Sequence, residues 1–177
     1  MKVLSWNVQG AFPQHTPLDR IQNQIQYIQD EAGCPDILML NEVNRYPERR
    51  KMWEEELTKL GYIEIVHTLD WAEELGESDV QPNQDYNHVN GNLTAVHEDA
   101  DGKSLTREPA SIRYGQWDDT DMKDWDTNFP EKILHATLEM EDTTLDLWNI
   151  RAVPGNMHGE EKIKILDNTY HRIKKGY

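Results

Sequence analysis

The stretch Asp36–Val43, which reads DILMLNEV, decides the fold more than any other part of the chain. Its apolar run predicts a β-strand over Asp36–Asn41. A strand without polar alternation is typical of a sheet that is covered on both faces. The run follows a helix-breaking Gly33-Cys34-Pro35, and Glu42 comes directly after its last residue. A carboxylate therefore stands where a buried strand ends.

The segments on either side of this run alternate between strand and helix patterns. Lys2–Val8 is short, apolar and rich in strand formers, which predicts a strand at the N-terminus. A helix is predicted from Thr16 to about Ala32, because Thr16 offers a cap and Pro17 suits a first helical turn. Its apolar stripe consists of Leu18, Ile21, Ile25 and Ile28. A second helix over Pro47–Leu60 and a strand over Ile63–His67 follow, and this alternation predicts an α/β fold.

The rest of the chain has a less regular pattern. The predicted elements are a loop over Asp70–Asn87, strands over Gly91–His97 and Thr106–Ile112, a loop over Gln116–Asn128, a hairpin of Lys132–Met140 and Thr144–Arg151, a loop over Ala152–His158 and a helix over Glu160–Lys175 that carries Ile163, Leu166, Tyr170 and Ile173. No repeat or linker divides these elements. We therefore expect a single domain over residues 1–177.

Composition restricts the classes of protein that this chain represents. Its 177 residues carry a formal net charge of −15, which argues against a protein that grips nucleic acid through a basic surface. Such an acidic surface is compatible with a halophile-like, high-salt environment. The single cysteine, Cys34, excludes an internal disulfide and any multi-cysteine metal site. Neither a signal peptide nor an apolar run of transmembrane length is evident, so we expect a cytoplasmic protein.

Two polar residues at predicted strand ends are the first candidates for chemistry. Asn7 ends the first strand and Glu42 follows the second, and α/β sites cluster at the carboxyl ends of parallel strands. A rigidly held carboxylate oxygen is the kind of ligand that Mg²⁺ prefers, and an amide beside it would orient it. The competing interpretation is that Glu42 is simply the first polar residue after a strand, and for this pair alone it is the stronger one.

Four segments in order change that balance. They are SWNVQG at 5–10, LMLNEV at 38–43, NGN at 90–92 and WNIRAVPGN at 148–156, with a helix after the last. Together they resemble the endonuclease/exonuclease/phosphatase superfamily. The resemblance covers the whole chain but about the first two-thirds of a typical member. It implies an α/β fold, a four-layered sandwich of two packed mixed sheets flanked by helices, here incomplete.

The resemblance also implies roles for particular residues. Glu42 would bind Mg²⁺, with Mn²⁺ as an alternative, and Asn7 would assist at the metal and the phosphate. Asn149 and Arg151 would lie near the scissile phosphate. Further candidates for substrate contacts are Asn90, Asn92, Asn156 and His158, although a surface or structural role is the commoner one for such a histidine.

The chain departs from the family pattern in three respects. Asn41 stands where glutamine is usual, which keeps an amide. Arg151 stands where histidine or tyrosine is common; a guanidinium binds phosphate bidentately but cannot act as a general acid at neutral pH. The Gly-Asp-x-Asn and Asp-His motifs that family members carry further on are not found after Arg151. We therefore expect a fragment, a truncated product or a half that another chain completes.

The expected function is metal-dependent hydrolysis of a phosphoester by the full-length protein, as in nucleases, exonucleases and phosphatases. The substrate would be nucleic acid, a nucleotide or a small phosphodiester, attacked by a water that the metal activates. The alternative is a catalytically inactive fragment that binds a partner or nucleotide. Asp118–Asp126 lacks the glycine and terminal glutamate of a calcium loop, so we interpret it as a solvated acidic loop.

Overall fold

The computed structural model of the chain describes residues 1–10, 18–43, 47–68, 91–100, 102–107, 132–152 and 155–175. Its elements are β1 (Val3–Asn7), α1 (Leu18–Asp30), β2 (Ile37–Val43), α2 (Pro47–Lys59), β3 (Tyr62–His67), β4 (Gly91–His97), β5 (Gly102–Arg107), β6 (Ile133–Met140), β7 (Thr144–Ile150) and α3 (Gly155–Lys175). The predicted α/β class is confirmed.

The strands form two sheets. The four-stranded sheet has the order β1-β2-β4-β3, in which β1 and β2 are parallel and the other neighbours are antiparallel. The three-stranded sheet has the order β5-β6-β7 and is antiparallel throughout. The predicted hairpin of β6 and β7 is therefore present, with Leu138 opposite Leu145 near its turn.

Two apolar cores explain why β2 lacks polar alternation. On one face of the four-stranded sheet, Leu38 and Leu40 of β2 belong to the same cluster as the buried stripe of α1 and Trp53 of α2. On the other face, Ile37 belongs to a cluster that also contains Leu138 of β6. The four-stranded sheet is thus packed between helices and the second sheet, as the prediction for a strand covered on both faces requires.

The stripe predicted for the first helix is mostly buried. Ile21, Ile25 and Ile28 belong to the core, whereas Leu18, at the start of the helix, is 51% exposed. The predicted start near Thr16 lies outside the described residues. Since the three buried residues recur at helical spacing, they fix the face that α1 turns toward the sheet.

Two predicted boundaries are wrong. The loop predicted over Ala152–His158 fails from Gly155 onward, because α3 already begins there. Pro154, immediately before, is typical of a loop but equally suits the start of a helix. β5 already begins at Gly102, before the start predicted at Thr106, since its pairing with β6 and not its own composition defines it. The predicted strand beyond Arg107 and the loops predicted over Asp70–Asn87 and Gln116–Asn128 lie outside the described residues.

α3 shows an apolar pattern that does not mark its buried side. Ile165 is fully buried, whereas four apolar residues at helical spacing are largely exposed. These four are Ile163, Leu166, Tyr170 and Ile173, at 68%, 47%, 58% and 55% exposure. Among the described residues, no helix has the length and apolar character that crossing a membrane requires.

Candidate active site at the carboxyl ends of two parallel strands

The parallel pair β1 and β2 brings the first two site candidates together. Asn7 is level with Asn41 in the register of the two strands. Backbone pairing then continues beyond the strand, because the Val8 amide donates to the Asn41 carbonyl (2.9 Å) and the Gly10 amide to the Glu42 carbonyl (2.8 Å). Glu42 therefore lies directly beside the end of β1, inside β2 and not directly after it as predicted.

A β-bulge in β2 lies at Glu42. The register between β2 and β4 shifts between Leu40, opposite Leu93, and Val43, opposite Gly91. Glu42 has a φ of 57°, in the left-handed region that disfavours a residue with a Cβ. Such strain costs roughly 1–3 kcal/mol and persists only where the surroundings hold it, which is common at functional sites.

Two donors on different elements hold the Glu42 carboxylate. Asn7 Nδ2 donates to Glu42 Oε1 at 3.0 Å, and the guanidinium Nη2 of Arg151, just after β7, lies 2.6 Å from the same oxygen. Glu42 is buried, and the Arg151 side chain is 17% exposed. A charge-assisted contact that is largely withdrawn from water is stronger than its exposed counterpart. These residues, Asn7, Glu42 and Arg151, form what we call the carboxylate triad.

The Asn7 amide is itself oriented by the chain that follows β1. Its Oδ1 accepts a hydrogen bond from the Gln9 amide (2.9 Å), so Nδ2 is left to face Glu42. Gln9 adopts a φ of 54°, and Arg20 of α1 donates to its side-chain oxygen (3.3 Å). Gln24 of α1 donates to the Val8 carbonyl (2.9 Å). α1 thus supports the end of β1 with polar contacts on this side.

Asn149 joins the two sheets beneath the triad. Its Nδ2 donates to the carbonyls of Leu93 (2.9 Å) and Leu40 (3.2 Å), and its Oδ1 accepts from Asn41 Nδ2 (2.5 Å). The side chain is buried, so a buried amide replaces backbone pairing between β7 and the four-stranded sheet. The predicted contact of Asn149 with phosphate stays a prediction.

Asn92 makes a similar connection from the opposite sheet. It is fully buried, and its Nδ2 donates to the carbonyls of Lys132 (2.8 Å) and Asn149 (2.9 Å). The other predicted substrate contacts are not described: Asn90 lies outside the described residues, and Asn156 and His158 lie in α3 with side chains that the structure leaves undescribed. Their predicted roles stay predictions.

His67 lies at the same edge of the sheet and was not singled out from the sequence. It ends β3, which runs parallel to β2 because both are antiparallel to β4. Burial lowers the pKa of His67 to about 3, and the nearby Arg50 charge adds to the shift. The imidazole is therefore neutral at physiological pH. As the last residue of a predicted strand, with no motif around it, it gave no sign of a site residue.

The pKa of His67 predicts how stability depends on pH. The unfolded imidazole takes up a proton below its ordinary pKa of 6.5, whereas the folded one stays neutral to about pH 3. The part of the free energy of unfolding that depends on neutral His67 is therefore fully present above pH 6.5. It falls toward pH 3 by about 1.4 kcal/mol per pH unit, because the unfolded chain binds one proton more. Between pH 7.5 and pH 5.5, the free energy of unfolding measured in urea should fall by about 1.4 kcal/mol more in the wild type than in His67→Gln. Equal losses in the two proteins would contradict this.

The architecture is an α/β fold in which one mixed sheet and one antiparallel sheet pack together with helices. Among solved structures, the chain is similar to humanized D. rerio TDP2 carrying 14 mutations, with a TM-score of 0.65 at 14% sequence identity. The match covers 99% of this chain and 60% of that one, so the chain spans little more than half of the TDP2 chain. No family model and no curated protein matches the sequence. At this identity the similarity shows the fold alone.

Proposed function

We propose that this chain carries part of the active site of a metal-dependent phosphoester hydrolase, with Glu42 as its metal ligand. The observation that carries the proposal is the carboxylate triad: a buried carboxylate, held at a strained bulge by an amide and a guanidinium, at the carboxyl ends of two parallel strands. The fold and the ordered sequence motifs support the same class of enzyme.

The donor set fits Mg²⁺, or Mn²⁺, as a sparsely ligated ion. Mg²⁺ commonly uses one or two carboxylates and completes its shell with waters and substrate phosphate oxygens. Glu42 offers such an oxygen ligand, and the described residues contain no cluster of three or more His, Cys, Asp or Glu side chains suited to a metal. When bound, the ion would neutralise charge on a phosphoryl oxygen and activate water. Asn7 would keep the carboxylate oriented toward it.

Arg151 supplies the anion-binding part of the proposed site. Its guanidinium is always charged and offers paired donors that match two phosphate oxygens. Its backbone amide donates to the Lys132 carbonyl (2.8 Å), which fixes the main chain at the end of the hairpin. Arg151 would therefore position the phosphate beside Glu42, and Asn149 would hold β7 against β2 so that both side chains meet.

The substrate class follows from charge as much as from the site. A formal net charge of −15 disfavours tight, sequence-independent binding to nucleic acid at low salt. A nucleotide or small phosphodiester could bind the Arg151 guanidinium and contact little of the acidic surface, so the repulsion would be smaller. Nucleic acid remains a substrate of the proposed class where salt screens the repulsion.

One observation favours a second function, binding without hydrolysis. The Arg151 guanidinium stands against Glu42 and cannot supply a proton to a leaving group. A protein that retained phosphate recognition and lacked the leaving-group acid would bind a phosphoester and leave it intact. Binding of a non-hydrolysable nucleotide without turnover of the matching substrate would support this alternative.

The test of the first function compares hydrolysis of bis(p-nitrophenyl) phosphate with and without Mg²⁺. Glu42→Gln keeps the size of the side chain and removes the charge that attracts the metal, so we expect Mg²⁺-dependent turnover to fall at least tenfold. Glu141→Gln, an exposed carboxylate in the β6–β7 turn, is the matched control and should keep the wild-type rate. Equal rates for wild type and Glu42→Gln would remove Glu42 from the mechanism.

A further inference from the structure

Asn7 and Arg151 contact the same oxygen atom of the Glu42 carboxylate. Glu42 Oε1 accepts from Asn7 Nδ2 at 3.0 Å and lies 2.6 Å from Arg151 Nη2. The Glu42 side chain is 11% exposed, so water screens its charge poorly. The guanidinium therefore acts as a resident cation at the position where the proposed function requires a metal ion to bind.

Two cations cannot share this carboxylate without a penalty. A divalent ion bound to Glu42 would lie within a few ångströms of the Arg151 guanidinium, and like charges at such distances repel strongly where water is scarce. The main chain of Arg151 is anchored to Lys132, so the side chain alone has to move. A tetrahedral anion offers the guanidinium another partner of opposite charge.

We infer that Arg151 is an internal counterion that competes with the metal for Glu42, so that metal and phosphate bind cooperatively. The inference rests on the proposed function, because it takes Glu42 as the metal ligand. An oxyanion draws the guanidinium off Glu42 and frees the carboxylate for the metal. By linkage, the metal frees the guanidinium for the oxyanion to the same extent. Neither ligand alone binds as tightly as it does beside the other.

Arg151 is therefore a specificity-determining residue as well as a phosphate ligand. In the absence of an anion, the guanidinium charge balances the charge of the Glu42 carboxylate, so divalent ions bind weakly. Ligands that carry a phosphate-like group next to a metal-accessible oxygen are selected, because they satisfy the guanidinium and share the metal. An uncharged analogue of the same shape gains neither contact.

The experiment measures Mn²⁺ binding by the loss of the free-ion electron paramagnetic resonance signal, with and without sodium sulfate. Sulfate is a tetrahedral dianion that associates only weakly with Mn²⁺ in solution. For the wild type, sulfate should tighten Mn²⁺ binding about fivefold or more, within the usual range of coupling. For Arg151→Gln, Mn²⁺ should bind about tenfold tighter without sulfate, and sulfate should change little. Arg151→Lys keeps the charge and should remain close to the wild type.

The variants distinguish failure of this inference from failure of the proposed function. If Glu42→Gln binds Mn²⁺ as well as the wild type, Glu42 is not the ligand, and the proposed metal site is overturned together with the inference. If Glu42→Gln loses Mn²⁺ while Arg151→Gln matches the wild type and sulfate has no effect, the metal site stands and the competition is overturned. Should Arg151→Gln fail to fold, the sulfate response of the wild type decides the matter alone.

Discussion

Replacing Asn149 by alanine should destabilise the protein by about 3–5 kcal/mol, among the largest effects of any single substitution in the described part of the chain. The change removes the donors to the Leu93 and Leu40 carbonyls and the acceptor for Asn41. Each buried polar group left without its partner costs roughly 1–3 kcal/mol. Because these contacts connect two sheets, the loss also loosens the position of β7 relative to β2.

Urea unfolding followed by circular dichroism measures this loss. The matched control is Asn23→Ala, an exposed asparagine on α1, which should change stability by no more than about 0.5 kcal/mol. Similar unfolding midpoints for the two variants would show that the inter-sheet amide contributes little. A stable Asn149→Ala protein that still loses phosphoester turnover would instead support the predicted role of Asn149 at the substrate.

Gly91→Ala is the second change with a large expected effect. A Cβ at Gly91 would lie 2.6 Å from His67 Cε1 and 2.6 Å from Thr68 Oγ1, both closer than real contacts allow. The neighbours have little freedom to retreat, because Thr68 Oγ1 accepts from the Asn92 amide at 2.6 Å and His67 is buried. Overpacking of this kind costs about 1–3 kcal/mol, and more where backbone has to shift.

Gly159→Ala in α3 is the control for this substitution. Among the residues that the structure describes, no atom outside its own helix lies within 4 Å of a Cβ built there, and alanine favours a helix over glycine by about 1 kcal/mol. Thermal melts should therefore show a lower melting temperature for Gly91→Ala and an equal or higher one for Gly159→Ala. A Gly91→Ala protein as stable as the wild type would mean that His67 and Thr68 relax without cost.

The parts of the fold that follow from local patterns were predictable. The structure contains the predicted strand β2, the buried stripe of Ile21, Ile25 and Ile28, and the β6–β7 hairpin. These features depend on residues that are close together in sequence, so a local pattern is enough to predict them. The start of β5 was not predicted because GKSLTR has no apolar alternation, and its pairing with β6 makes it a strand. Such pairing depends on residues far along the chain.

The candidate site also has features that the sequence predicts and features that it does not. Asn7 and Glu42 were predicted as neighbours because parallel strands align their carboxyl ends, a rule that needs no knowledge of side-chain packing. The contact of Arg151 with Glu42 was not predicted, since it depends on how the second sheet packs on the first. The left-handed backbone at Glu42 gave no signal either, because glutamate is not among the residues that favour that conformation.

The inter-sheet amide also has a consequence for the order in which the protein takes shape. Asn149 reaches the Leu40 carbonyl across 109 positions of sequence, so this contact closes one of the longest loops in the described chain. Ribosomes deliver residues at about 5–20 per second. For several seconds after β1 and β2 emerge, Glu42 therefore lacks its Arg151 partner. During that interval the Glu42 carboxylate is open to whatever cations the surrounding solution provides.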